Sequence, residues 1–306
     1  MAEADAIIAG CALASSTLTR WQHHFAPPAQ PFFVSDKLAR KLPAWPRFTR
    51  GEFARSGVSL SLHDTFTTYN VAENADWVVW LTFGAFSSLP QAVRSELLAE
   101  QRDFGRGGVF GVAEVGGTLE PETLSAVSLH GFVVWWPELW VQLSEGEKVG
   151  VLKAFAETDR LPCRRHDLAP DDWVRVASVL PGAHEVAGTF LPDSGGNCLE
   201  TVMAAFGVPA VAEIWVHPEP FERWLATFSP LPDGGLEPVL GDVLVWRDGG
   251  RVQHAAISLG RGFVLHKEAQ GWFAPRQVMR LGGVLERWRD DGNVSVYRPG
   301  ASSPSG

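Results

Sequence analysis

A mixed α+β protein in two parts is what the 306 residues predict, and three observations carry the prediction. In the first half, short apolar runs rich in β-branched and aromatic residues alternate with stretches of helical periodicity, an α/β texture. In the second half, one well-capped helix is followed by apolar strands separated by glycine turns, an α+β texture. The hydrophobic fraction, 45%, is ample for packed cores, and no internal repeat divides it. The boundaries that follow are an α/β N-terminal domain over 1–160, a connector over 161–184, a helix-and-antiparallel-sheet domain over 185–300 and a disordered tail over 301–306.

Taken in order, the first forty-odd residues read as irregular, because Pro27, Pro28, Pro31, Pro43 and Pro46 punctuate them. Trp77–Phe83 is a continuous apolar run that predicts a strand buried on both faces, ended by Gly84. Ser88-Leu89-Pro90 then opens a helix to about Arg102, with Leu89, Val93, Leu97 and Leu98 on its apolar face. A second buried strand is expected at Gly131–Trp136, and the abundant Trp135, Trp136 and Trp140 belong in the core. Ser144 and Glu147 form a capping box for a helix carrying Val149, Val151, Leu152 and Phe155. In the connector, Arg160, Arg164, Arg165 and His166 make a solvated or salt-bridging basic face. A helix from Pro170 to Leu180 follows it. Beyond Tyr297 the chain turns to small residues and proline and is expected to be disordered.

Composition excludes several function classes. With 26 basic residues against 35 acidic ones and a formal charge of −9, no basic stripe exists to displace phosphate counterions, so no nucleic-acid partner is expected. The same deficit argues against a membrane surface. The most apolar stretch, Gly131–Leu143, is broken by Pro137 and Glu138 and is too short to span a bilayer. Three cysteines, Cys11, Cys163 and Cys198, are an odd and sparse set, the pattern of a reducing compartment in which each thiol is judged singly. Ile8-Ala9-Gly10-Cys11 imitates a lipoprotein cleavage box, yet Glu3 and Asp5 precede it without any basic residue, so an ordinary buried segment in a cytoplasmic protein is expected. The glycine-rich segment Gly105–Gly111 lacks the lysine of a phosphate cradle, and no cofactor is implied.

The densest chemical signal is Ser194-Gly195-Gly196-Asn197-Cys198-Leu199-Glu200. Asn197 is a strong N-cap, and Glu200 three positions on completes an Asn-x-x-Glu capping box. Leu199, Val202, Met203 and Phe206 recur at helical spacing, and Gly207 stops the helix. Cys198 is therefore the first helical residue, where unsatisfied amides and the positive end of the helix dipole stabilise a thiolate. Gly195 and Gly196 let a substrate approach the backbone. The Cys198 amide, with Asn197 and Gly196 beside it, is placed to hold an oxyanion. The competing reading is a small buried thiol without chemistry.

Downstream, Gly241–Trp246, Val252–Leu259 and Phe263–Lys267 are three apolar strands separated by glycine turns, an antiparallel meander. Glycine at both ends of Gly260-Arg261-Gly262 predicts a three-residue loop that pairs Leu259 with Phe263 and Ala256 with His266. His254 and His266 then share a face, one diagonal step apart. A two-residue loop would put the imidazoles on opposite faces. With the rings together, Cys198, His254 and His266 supply a nucleophile, a base and a group that orients the base. Zinc ligation by the same three residues is an alternative, with no fourth ligand evident. His184-Glu185 reads as a surface turn, and His23, His24, His63, Asp64 and His130 have no partner that the sequence names.

The segment 185–300 resembles the NlpC-type branch of the papain-like cysteine hydrolases. That family places a cysteine at the start of a helix, then a strand opening with Gly-Asp, then a strand that begins with histidine and ends in glycine. A third polar residue follows twelve positions after that histidine. Here these are Cys198, Gly241-Asp242, His254–Gly260 and His266. The resemblance implies a papain-like fold with the cysteine helix packed on an antiparallel sheet. It also implies Cys198 as nucleophile, His254 as base and His266 as its orienting partner. The implied activity is hydrolysis of an amide, peptide or isopeptide-like, through an acyl-enzyme, with a peptide or small amide as substrate. Acyl transfer or deamidation on the same scaffold, and a non-catalytic binding protein that keeps it, are the alternatives. The family commonly has Asp-Cys-Ser where this chain has Asn197-Cys198-Leu199. It often has a tyrosine about twelve residues earlier, where positions 184–190 hold none. Many members cut cell-wall peptides after export, and the lack of an export signal here points away from that substrate. The N-terminal half is expected to shape the cleft or to take a protein partner.

Overall fold

The computed structural model describes residues 6–158, 160–209, 211, 213–232 and 237–300. The fold is mixed helix and sheet, and the chain divides into two compact units: Met1–Thr17 with Asp159–Gly306, and Leu18–Thr158. The first unit is thus assembled from both sides of the second in sequence. Strands β1 (Ala6–Ile8) and β2 (Cys11–Leu13) form a hairpin whose turn residues, Ala9 and Gly10, both have positive φ. The Cys163 amide donates to Ala9 O at 2.7 Å, and the Ala12 amide donates to Gly188 O at 2.9 Å. These bonds explain why residues 6–13 and the supposed connector 161–184 belong to the same unit as the sheet.

The first forty residues are ordered, against expectation. Helix α1 spans Ser15–Phe25 and strand β3 spans Ala29–Val34. Pro27 and Pro28 precede β3. Pro31 is tolerated because β3 is the edge of a three-stranded sheet in the order β3-β5-β4, where a missing amide breaks no ladder. Here β4 is Phe48–Thr49 and β5 is Trp77–Thr82, the expected strand. Helix α2 (Gln91–Asp103) follows, and a second small sheet joins β6 (Val109–Gly111) to β7 (Phe132–Val134). Helix α3 (Glu145–Glu157) starts at the reciprocal Ser144–Glu147 capping box. Strands and helices alternate, but every strand pairing in this unit is antiparallel, so it is not α/β. Alternation along the chain is a local property, whereas pairing direction is decided by distant partners. Trp135, Trp136 and Trp140 are buried, Trp136 stacking on Phe32 with centroids 5.9 Å apart.

In the first unit, α4 (Pro170–Val179) and α5 (Ala183–Val186) lead to α6 (Cys198–Ala205) and α7 (Pro218–Leu225). A six-stranded antiparallel sheet has the order β12-β11-β10-β9-β13-β8. Its strands are β8 (Phe228–Pro230), β9 (Val243–Asp248), β10 (Arg251–Gly260), β11 (Phe263–Lys267), β12 (Arg276–Arg280) and β13 (Asn293–Pro299). Helix α6 packs against β10 and β11. On one face Leu244, Trp246, Ala256, Val264 and Met279 meet Val284 of α8 (Leu281–Arg287), with Leu281, Leu285 and Trp288 against them.

The β10–β11 turn corrects one expectation and explains another. Gly260 pairs with Phe263, so the loop has two residues, Arg261 and Gly262, both at positive φ. The register shifts between Ser258 and Gly260, making Leu259 the extra residue of a β-bulge. Below the bulge, Ser258 pairs with Val264 and Ile257 with Leu265, the register the three-residue loop would have produced.

The chain past Tyr297 is also ordered where disorder was expected, up to Gly300; residues 301–306 lie outside the described residues. Arg298 and Pro299 pair with Ser229 and Phe228 in β8. The Arg298 guanidinium grips Asp242 at 2.7 and 2.6 Å, and the fully buried Asp242 also accepts from the Val239 amide at 2.9 Å. A two-pronged grip on a buried carboxylate is strong, and losing one partner leaves a charge without its counterion. Arg298→Met is therefore expected to destabilise the unit by about 2 kcal/mol, read as a lower urea midpoint at pH 7. An unchanged midpoint would show that β13 holds its place without the clasp.

Candidate active site

Asn197 caps α6 in extended conformation, its Oδ1 accepting from the Glu200 amide at 3.0 Å. Its Nδ2 donates to Val216 O at 2.8 Å. Both ends of the side chain thus serve structure, Oδ1 capping the helix and one of the two Nδ2 hydrogens going to Val216. The capping box is not reciprocal. Glu200, fully buried, turns away to accept from Arg276 Nη2 at 2.6 Å, the Glu213 amide at 3.3 Å and Thr201 Oγ1 at 3.2 Å. Desolvation pushes its carboxyl up, and Arg276 beside it pulls it back. Charge pairing across to β12 wins over local capping because a buried carboxylate needs a counterion more than a second helix-end bond.

Gly196 corrects the expectation that its bare backbone serves substrate. A Cβ there would stand 2.5 Å from Leu191 Cδ1 and 3.0 Å from Glu200 Oε2, so the missing side chain is required by internal packing. Cys198 remains as the first helical residue, half-buried. Its sulfur is met by the amides of Ala255, Leu199 and Cys198 itself, with the Lys267 cation nearby. Burial outweighs these, and the thiol is pushed up to about 11. The dipole-stabilised thiolate expected at this position is therefore not the resting state. Removal from water costs the anion more than a short helix end returns.

The histidines come together as the register requires. His254 stands opposite Trp246, and His266 opposite Gln277, on the face of the Trp288 cluster. His254 Nε2 and His266 Nδ1 are 3.1 Å apart, with the rings at 89°. Trp288 lies flat on His254, with centroids 3.8 Å apart and planes 3° from parallel. That clamp fixes the ring's rotation and leaves His254 Nδ1 buried without a hydrogen-bond partner among the described residues. Burial lowers both imidazoles: His266 to about 4, and His254 well below its ordinary value, with His266 adding to the effect. Both rings are neutral in the resting protein.

Cys198 and the rings reach this point from two sides. Glu200 of α6 meets Arg276, whose neighbour Gln277 points to the opposite, histidine-bearing face. The thiol touches the strand at the Ala255 amide, one residue past His254 and beyond the last β10–β11 pair, Ile257 and Leu265. The thiol and the histidine pair thus lie against adjacent residues of β10, Ala255 and His254, from its two faces. Buried Lys267, whose ammonium donates to Ala269 O and to Gly271 O at 2.8 Å, shapes the neighbouring 268–272 turn. The 190s loop is tied to that turn by the Trp272 amide donating to Ser194 Oγ at 3.0 Å and the Gly195 amide donating to Gln270 O at 3.1 Å.

Sequence reasoning missed Trp288, Arg276 and Lys267, whose roles depend on sheet partners remote in sequence. Among the described residues, no group of three or more His, Cys, Asp or Glu side chains is placed to hold a metal ion. The basic cluster is spent within the unit: Arg160 bonds Phe273 O at 3.0 Å, Arg164 pairs with Asp167 at 3.7 Å, and Arg165 contacts His184 at 3.2 Å. His184 lies in α5 rather than in a turn. No helix is long and apolar enough to cross a membrane among the described residues. Comparison with protein-family models, curated proteins and solved structures finds no match.

The two lowered imidazoles set a pH dependence. Between about pH 6.5 and 4 the unfolded chain takes up protons at these rings that the folded chain refuses, so stability is full above that window and falls as pH drops through it. His266 alone accounts for about 3 kcal/mol over the whole interval. Urea unfolding followed from pH 7 to 4.5 is expected to show a falling midpoint, with a shallower fall in His266→Asn. Equal slopes for the two proteins would mean that His266 is not buried neutral.

Proposed function

We propose that the unit containing Cys198 is a papain-like cysteine hydrolase of the NlpC type that cleaves an amide bond through Cys198, His254 and His266. The observation that carries this reading is the clamped His254 ring: Nε2 on His266 at 3.1 Å, Trp288 against its face, and Nδ1 buried without a hydrogen-bond partner among the described residues. A buried nitrogen left without a partner costs free energy, and a base awaiting a proton accounts for that cost. The order Cys198, Gly241-Asp242, His254, His266 supports it as well.

In this mechanism His254 Nε2–H donates to His266 Nδ1, which leaves the Nδ1 lone pair free. As the sulfur attacks the amide carbonyl, Nδ1 takes the thiol proton, so thiolate and imidazolium arise together rather than in the resting protein. The Cys198 amide at the helix end donates to the developing oxyanion. Collapse of the tetrahedral adduct breaks the C–N bond, and the amine leaves with the proton from His254. Water, deprotonated at Nδ1, then hydrolyses the thioester, returns the thiol and releases the acid. An amine in place of water would make the same chemistry acyl transfer. A peptide or small amide fits the resemblance. The reading needs no cofactor.

A second reading has an observation of its own. The sulfur's hydrogen-bond partners are backbone amides, and its proton is held up to about 11, as in a recognition protein that keeps the scaffold without turnover. Alkylation separates the two. With iodoacetamide and site-resolved mass spectrometry, Cys198 is expected to react faster by about tenfold per pH unit from pH 6 to 10, without an early plateau. His254→Ala is expected to slow it about tenfold or more at pH 7.5. A Cys198 rate indifferent to His254 would favour the non-catalytic reading.

A further inference from the structure

Cys11 and Cys163 stand apart from Cys198, and the mechanism uses neither. Cys11 opens β2 and is fully buried; Cys163, 6% exposed, lies against the β1–β2 turn. The Cys163 amide donates to Ala9 O at 2.7 Å. A Cβ on Gly10 would be 2.9 Å from Cys163 O and 3.6 Å from Cys163 Cβ, so only glycine lets the turn seat this closely. The next residue of the hairpin, Cys11, thereby has its thiol beside that of Cys163, each perturbing the other. On its other side the Cys163 sulfur accepts from the Val278 amide at 3.3 Å, and the Arg165 amide also points to it. Two of only three cysteines, far apart in sequence, thus face each other within one unit.

We propose that Cys11 and Cys163 are a disulfide-forming pair, closed by an oxidant of the peroxide class and reopened by a thiol. Cys163 is the attacking sulfur, because two backbone amides support its anion while Cys11 has the role of proton donor. The hydrogen bond from Cys11 lowers the Cys163 thiol and raises that of Cys11, which assigns the roles in the same direction. The Cys163 thiolate attacks one peroxide oxygen and the O–O bond breaks. The sulfur becomes a sulfenic acid, and the second oxygen leaves as water with the proton Cys163 gave up. The Cys11 sulfur then attacks the sulfenic sulfur, the S–O bond breaks, and a second water leaves with the Cys11 proton. The pair has lost two electrons, the peroxide has gained two, and the S–S bond remains. A reducing thiol reverses this by exchange at either sulfur. The bond fastens hairpin β1–β2 to the segment hydrogen-bonded alongside β12, and it closes a loop running through every residue between positions 11 and 163. Long closed loops restrict the unfolded chain most.

The full chain is treated with hydrogen peroxide, blocked with N-ethylmaleimide, digested without reductant and mapped by mass spectrometry. The expected product is a peptide pair joined through Cys11 and Cys163, lighter than the reduced pair by two hydrogens and separated again by dithiothreitol. The oxidised chain is expected to unfold at a temperature higher by roughly 5 °C or more. Cys163→Ser, first checked under reductant for an unchanged fold by circular dichroism, should lose both effects. Recovery of Cys11 and Cys163 as maleimide adducts while Cys198 is oxidised, or a bridge that includes Cys198, overturns the proposal.

Discussion

One inserted residue decides which face of the sheet the two histidines share. A two-residue turn between β10 and β11 would by itself throw His254 and His266 onto opposite faces of the sheet, since side chains alternate with a period of two. Leu259, bulged out of the ladder, restores the parity. Everything else at the site depends on that restoration: the 3.1 Å contact between the rings, the flat stacking of Trp288 and the bare Nδ1 of His254. A bulge is a common device near active sites because it re-aims side chains without breaking a sheet.

Around the rings the protein spends desolvation unevenly. Glu200, Arg276 and Lys267 are buried ions with their partners supplied, and they fix the first turn of α6 and the 268–272 turn in place. The two imidazoles are buried and the thiol half-buried as neutral groups, the Lys267 cation near the sulfur being outweighed by desolvation. The framework is therefore charged and ion-paired, whereas Cys198, His254 and His266 are neutral and under-solvated. A proton shift from sulfur to imidazole creates a charge pair in a poorly solvating place, and a substrate that completes the site would change that balance most.

The elements with strong local signals were readable from the sequence. The strand at 77–82, the capping box at Ser144, the Cys198 helix and the three-strand meander each follow from periodicity, caps and turn residues. The body of the β10–β11 register was also readable, although through a loop of the wrong length. What could not be read depends on partners far along the chain. Prolines suggested irregularity over the first forty residues, yet Pro31 sits harmlessly on a sheet edge. Polar tail residues suggested disorder, yet Arg298 has a buried carboxylate waiting 56 positions earlier. Glu200 looked like a cap because Asn197 stands three residues before it, and only the fold reveals Arg276. At the site, the residue types and their order were visible, but the clamp on His254 was not, because Trp288 follows a helix whose placement no local pattern specifies.

The position of β13 has a consequence in time as well as in space. It lies inside the sheet, hydrogen-bonded to β9 on one side and β8 on the other, and Arg298 closes the start of β9. The same unit also claims residues 6–13. A ribosome emits residues 18–158 as one uninterrupted piece, able to collapse as soon as they emerge. The unit containing Cys198 must instead wait until position 299 has cleared the exit tunnel before its sheet can be completed. Until then Cys198, His254 and His266 belong to an unfinished sheet. The order of synthesis thus sets the completion of the sheet that carries Cys198 and the two histidines behind the inserted unit, which can fold first.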